Sequence, residues 1–340
     1  MVSALLMVVL QAFYPIPNQK SSVRRRVDIF VAVTAAAYRT QYAVALSTLH
    51  CYIQRHPRYT LRVVNLDSDL RVNQTCNQTG VFFRKHCAAA AYLNETDWLL
   101  VLDADTGVIN PNRSIEEYIE ETVDLIFYER FFNWEIASGN YLAKNTRFAK
   151  DFLLEWANYE FHLPNSFHGF DNGVLQILLL KTLLPRSVPE IGMCQRLWQK
   201  SMNWNSYNKF VVCCKVALGS RRLWERVKIF RRAHAWVMDG IVTDGQWCSK
   251  SFMMHGWKKQ EIGLETTRHQ PWIPPITQKL NRSDCSEWPL NDSMKLTCQQ
   301  LGQVISKSER VCATSYARFA GGLPYLQNSD VAECWPDCVH

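Results

Sequence analysis

Beyond its first residues, no stretch of this chain is long and apolar enough to cross a bilayer, which takes about 20 residues; the late run Val174 to Leu180 is seven residues long. No Cys-x-x-Cys pair occurs, so a zinc ribbon is excluded. Basic residues are not blocked together beyond Arg24-Arg25-Arg26, which sets nucleic acid aside as a partner. There is no internal repeat and no low-complexity tract. Charged residues make up only 20% and hydrophobic ones 47%, a globular balance rather than a disordered one.

What is present bears first on compartment. The 340 residues carry twelve cysteines and six Asn-x-Ser/Thr sequons, at Asn73, Asn77, Asn94, Asn112, Asn281 and Asn291. So many sequons point to passage through the secretory lumen, where the cysteines would pair. Five cysteines (Cys285, Cys298, Cys312, Cys334, Cys338) lie beyond residue 280, so residues 263–340 read as a disulfide-rich extension. The start, Val2 to Leu10, suits a signal-peptide core or a short signal-anchor with Lys20 and Arg24 to Arg26 as its basic flank. The expected divisions are therefore 1–26 (signal or anchor with stem), 27–262 (the main domain) and 263–340. The expected location is the Golgi membrane, in type II orientation, or outside the cell.

Within the main domain, strands and helices alternate. Asp28 to Thr34, Leu61 to Leu66, Trp98 to Leu102, Asp124 to Tyr128 and Tyr141 to Lys144 read as strands. Tyr38 to His56, Gly80 to Leu93 and Arg147 to Tyr159 read as helices, and Ser114 as the cap of another reaching Glu121. This predicts an α/β fold with a mixed, mostly parallel sheet, whose ligand sits beyond the carboxyl ends of the strands. Leu184 to Gln246 has no clear period.

The chemistry-bearing segment is Trp98-Leu-Leu-Val-Leu-Asp103-Ala-Asp105-Thr-Gly-Val-Ile-Asn-Pro111. Two carboxylates two residues apart, just past a buried strand, are hard oxygen ligands suited to Mn²⁺ or Mg²⁺. A dehalogenase-type phosphatase wants Thr or Val where this chain has Gly107. An EF-hand wants Gly and Glu where it has Val108 and Ser114. Asp67-Ser-Asp69 has the same letters and reads as a solvated loop.

With Ile115-Glu-Glu-Tyr-Ile after it, this segment resembles the metal site of GT-A glycosyltransferases. It is similar to the retaining galactosyl/mannosyl/xylosyltransferase family (glycosyltransferase family 34), and closer still to an uncharacterised nematode-rich family of glycosyltransferase-like proteins. Later segments keep the order: Asp124-Leu-Ile-Phe, Ile136 to Asn145, Phe148 to Trp156, His168-Gly-Phe-Asp171-Asn172-Gly173 and Met253-Met-His255-Gly256-Trp-Lys258. The resemblance implies a GT-A fold and a metal held by Asp103, Asp105 and His255. It implies a nucleotide-sugar donor, UDP- or GDP-linked, met by Ala104, Asp103, Gly139, Asn140 and Lys258. It places Asp171 and Asn172 at the reaction centre, with a glycan or glycoprotein as acceptor. Thr34, Tyr38 and Arg39 follow the first strand, where they would meet the base or ribose, and Arg84 with Lys85 would do likewise. Aromatic residues between Trp198 and Trp257 are candidates for an acceptor platform. The alternatives are a non-catalytic carbohydrate- or protein-binding module on the same fold and a metal-dependent phosphatase.

Overall fold

The computed structural model describes residues 25–131, 133–258, 272–316 and 335–336. The candidate signal or anchor therefore lies outside the described residues. In chain order the elements are β1 (Val27–Val33), α1 (Ala35–Thr40), α2 (Ala43–Arg55), β2 (Tyr59–Asn65), α3 (Leu70–Thr75), α4 (Val81–Tyr92) and β3 (Trp98–Leu102). Then follow β4 (Gly107–Val108), β5 (Leu125–Tyr128), β6 (Tyr141–Lys144), α5 (Arg147–Asn158), α6 (Phe170–Leu183), α7 (Val188–Gln199) and α8 (Trp204–Leu218). The chain closes with β7 (Val227–Phe230), β8 (Val237–Asp239), α9 (Gly240–Thr243), β9 (Met253–His255) and α10 (Cys298–Tyr316).

The large sheet has the order β2-β1-β3-β6-β5-β7. Only β6 runs against the others, pairing antiparallel with both β3 and β5. The expected mixed, mostly parallel α/β sheet flanked by helices is thus what forms. Its strands are apolar runs because both faces are covered. Every residue of β3 is buried. On one face α4, α5, α6 and α8 pack over Leu99, Val101 and Phe127. On the other, Leu46, Leu49 and Tyr52 of α2 cover Leu100 and Leu102.

A second sheet of three short strands, β4-β9-β8, stands beside the carboxyl end of β3. Beyond it the C-terminal segment is drawn into the main body. Trp272, Ile276 and Leu280 bury against Ala45, Trp247 and Trp257. Disulfides Cys51–Cys285 and Cys248–Cys298 tie the same segment to α2 and to the loop before β9. Cys76–Cys87 and Cys194–Cys213 close shorter loops.

Two expectations are corrected. The helix expected over Tyr38 to His56 is two helices, broken at Gln41 and Tyr42. The helix expected from Ser114 to Glu121 is one short 3-10 turn, Ile115–Tyr118. The Asp67-Ser-Asp69 segment is the loop expected, exposed at Asp67 and Ser68, where Asp69 also caps α3 by accepting from the Val72 amide at 2.9 Å and Asp67 accepts from the Ala35 amide at 2.9 Å. A carboxylate at a helix start satisfies amide donors that have no partner within the helix.

Candidate metal and donor site

The site grows from register. β3 and β6 pair so that Val101 faces Tyr141. Two residues on, the antiparallel count sets Asp103 against Gly139. A Cβ on Gly139 would stand 1.9 Å from Asp103 Oδ2, so only glycine lets that carboxylate fold over the strand end. Asn140, one residue closer to the pair, holds the turn. Its Oδ1 accepts from the Asp103 amide at 3.0 Å and from Thr106 Oγ1 at 2.9 Å, while its Nδ2 donates to Tyr128 at 3.0 Å. Asn140 is buried, and these bonds hold the acidic loop in shape.

The small sheet delivers the imidazole. β4 pairs antiparallel with β9, Gly107 opposite Met254, which leaves His255 beside the acidic loop. The Trp257 amide then donates to the Asp105 carbonyl at 2.9 Å. His255 Nε2 lies 3.4 Å from Asp105 Oδ1 and 3.6 Å from Asp103 Oδ2. β8 runs parallel to β9 with Asp239 directly beside His255, and the Asp239 carboxylate holds His255 Nδ1 at 2.7 Å. Gly256 takes φ +95°, the left-handed region, to turn the chain out of β9.

Cations surround the acids. Lys85, buried on α4, donates to Asp103 Oδ1 at 2.9 Å and lies 3.5 Å from Asp171 Oδ2. Lys258 Nζ is 3.2 Å from Asp105 Oδ2. Burial alone would raise the carboxyls of Asp103 and Asp105. Lys85 and His255 outweigh it at Asp103, and His255 and Lys258 at Asp105, so both are held below the ordinary carboxylate range. Burial would likewise lower His255, but Asp105, Asp103 and Asp239 raise it well above its usual value.

These residues fit a divalent cation. Ligand atoms of Asp103, Asp105 and His255 all lie within 4.8 Å of one another. Asp105 Oδ2 is buried and accepts no hydrogen bond. The far nitrogen of His255 is fixed by a carboxylate, the usual support of a metal-binding imidazole.

The two carboxylates of this group stand on the wall of a cleft of about 560 Å³, a size suited to a small-molecule ligand. Thr34, Ala104, Lys85 and Lys258 line it with Asp103 and Asp105. Other expected residues lie elsewhere. Tyr38 lines a neighbouring cleft and accepts from Arg282 at 3.4 Å. Arg84 turns away and donates to Asn73 at 2.7 Å. The Arg39 side chain is outside the described residues. Asp171 is 1% exposed, inside the first turn of α6. Its Oδ2 meets His86 Nε2 at 3.2 Å and Lys85, so it braces Lys85 instead of facing the cleft. Asn172 accepts from the Ser138 amide at 3.3 Å, which pins the turn before Gly139. Between Trp198 and Trp257 most tryptophans are core residues; Trp204 is the exception, 42% exposed.

Sequence reasoning missed Asp239 and His86. His86 is fully buried, stacked on Trp156 with ring centroids 3.5 Å apart, and bonded to Tyr141 at 3.0 Å. The only signal for Asp239 was an acid between an apolar run and Gly240.

Comparison with solved structures finds likenesses at low sequence identity, among them the following two. The "crystal structure of a glycosyltransferase involved in the glycosylation of the major capsid of PBCV-1" has 14% identity over 68% of this chain and 94% of that chain, with a TM-score of 0.39. The "Crystal Structure of A197 from STIV" has 14% identity over 38% and 66%, with a TM-score of 0.24. No curated protein matches the sequence. The family described as "Protein of unknown function, DUF273" matches residues 49–270, well over half of the sequence, and the chain belongs to that family.

Proposed function

We propose that the protein is a metal-dependent glycosyltransferase of the secretory pathway. It would move a sugar from a UDP- or GDP-linked donor to a glycan or glycoprotein acceptor, with retention of configuration. The observation that carries this is the convergence of Asp103, Asp105 and His255, ligand atoms within 4.8 Å, with both carboxylates on the wall of a ligand-sized cleft. The retaining outcome rests on the resemblance of the motifs alone. Residues 27–262 form the transferase domain in this reading, and 263–340 its extension.

Asp103, Asp105 and His255 would hold Mn²⁺ or Mg²⁺, which when bound supplies Lewis-acid neutralisation of a leaving diphosphate. The remaining work belongs to the side chains. Lys258 and Lys85 present ammonium groups beside the acids, where the diphosphate oxygens would lie. Asp171 and His86 keep Lys85 in place from behind. Gly139 and Asn140 fix the carboxylate of Asp103 at the strand end. Thr34 and Ala104 shape the wall opposite. His255 is aimed by Asp239.

The test is a screen of nucleotide-sugars with Mn²⁺, reading donor hydrolysis and a metal-dependent thermal shift. One or more donors should shift the wild-type melting point and be turned over. Asp105→Ala should lose turnover by about a hundredfold or more, as removing a charge-stabilising contact does. Equal turnover in Asp105→Ala would remove the metal site from the mechanism.

Four disulfides among the described residues and six exposed sequon asparagines support this compartment, since they suit an oxidising lumen. Among the described residues no helix is long and apolar enough to cross a membrane. In this reading residues 1–26, outside the described residues, would serve as the signal or anchor.

A further inference from the structure

A second cleft of about 480 Å³ lies across the turn His168-Gly169-Phe170 from the first. His168 and Phe170 line both, so the two are continuous around that turn. The core holds the base of this turn, Trp198 Nε1 donating to the His168 carbonyl at 2.9 Å, while its tip stands out at the rim. Phe170 has φ +50°, a left-handed value that costs a non-glycine residue about 1–3 kcal/mol, yet its ring is 54% exposed. The ring meets two other exposed or half-buried rings, Phe82 at 5.3 Å and His168 at 4.9 Å between centroids.

The rest of the rim is aromatic too. Phe167 is 41% and Trp204 42% exposed, and they stand edge to face at 6.2 Å. Trp204 is braced by stacking on Tyr207 at 5.5 Å. Below the rings the lining is polar: Asn172, Glu135 and Arg130. Asn172 spends its Oδ1 on Ser138, and among the described residues its Nδ2 has no partner. The Phe170 amide donates to His168 Nδ1 at 3.0 Å, which places the imidazole proton of neutral His168 on Nε2, a donor at the junction of the clefts.

Exposed ring faces over planar hydrogen-bonding groups are what a sugar needs: its C–H face stacks and its hydroxyls are read by amide and carboxylate. A protein partner would be met by an apolar face without that polar lining. The charge balance narrows the class. Arg130 lies 3.6 Å from Glu135 and 3.7 Å from Asp239, so the lining offers no uncompensated cation to an acidic sugar.

We propose that this cleft is the acceptor subsite and takes a neutral oligosaccharide, which stacks on Trp204 and Phe167 and bonds to Asn172 Nδ2 and His168 Nε2. The inference rests on the glycosyltransferase reading, which gives the neighbouring cleft to the donor.

The test uses the full chain on an immobilised panel of neutral oligosaccharides, sialylated oligosaccharides and peptides, with melting points recorded for each variant. Neutral oligosaccharides should bind. Trp204→Ala and Phe167→Ala should each weaken that binding about tenfold, the loss of one stacking face. Trp204→Phe, which keeps a ring, should retain most of it; this variant keeps the test valid should Trp204→Ala fold poorly. Binding to no neutral oligosaccharide, preference for sialylated ones or for peptides, or equal binding by folded Trp204→Ala and Phe167→Ala would each overturn the proposal. The donor reading is scored separately on the wild type. A nucleotide-sugar thermal shift without glycan binding removes this subsite alone. Ring-dependent glycan binding without any nucleotide-sugar shift keeps the sugar site and removes the transferase.

Discussion

At the residue scale, the Asp103 carboxylate is set by what faces it. Gly139→Ala would put a methyl group 1.9 Å from Oδ2, so the carboxylate must leave the strand end. We expect that variant to stay folded but lose Mn²⁺-dependent donor binding, read by the thermal shift with nucleotide-sugar. Asp239→Asn keeps the shape while weakening the grip on His255 Nδ1; metal affinity should fall about 10–100-fold, read by metal titration. His86 carries a pH prediction. Burial first, then the neighbouring Lys85 charge, outweigh Asp171 and push it down to about 4. The unfolded chain, whose imidazole titrates near about 6.5, then binds a proton that the folded chain refuses. Stability therefore falls as the pH drops through that window. Asp171, held low by Lys85 against its burial, adds a loss further down. Melting points should decline from about pH 7 to about pH 4.5, and His86→Gln, which cannot titrate, should flatten part of that slope. Asp103 and Asp105 were legible because two acids after an apolar run are unusual; Asp239 and His86 were not, since a single acid or histidine has no pattern.

At the element scale, the central strands were legible to within a residue or two. β3 needs no cap or turn to define it, only five buried apolar side chains between Asp97 and Asp103. Leu100→Ala should cost about 2–5 kcal/mol in denaturant unfolding, since both faces of the strand are packed. The region from Leu184 to Gln246 resisted reading for the opposite reason. α7 buries only Cys194 and Trp198 against its neighbours, too few positions for an apolar face to mark a period. The split of α1 from α2 also left no signal, because Gln41 and Tyr42 are neither glycine nor proline. The Cys51–Cys285 bridge closes a long loop onto α2. Replacing both cysteines with serine should cost about 2–5 kcal/mol, measured as a lowered unfolding midpoint against the wild type.

At the scale of the whole molecule, compartment and fold support one another. The asparagines of all six sequons are exposed: Asn73, Asn77, Asn94, Asn112, Asn281 and Asn291. Protein secreted from eukaryotic cells should therefore drop in apparent mass on treatment with an N-glycosidase; no drop would count against lumenal passage. The sequence by itself determined the sheet, since alternating apolar strands and helices bury their faces in few ways, and it singled out the acid pair. It named His255 only through the resemblance of its motif. Only tertiary structure decided which residues share the site. The β3–β6 register brings Gly139 to Asp103, and the β8–β9 register brings Asp239 to His255. Helix α6 carries Asp171 inward to Lys85, and Arg84, one position before Lys85 on α4, is turned out to Asn73. The physical reason is that periodicity records which face of an element is buried. Which partner is met there depends on strand pairing and helix packing between segments far apart in the chain.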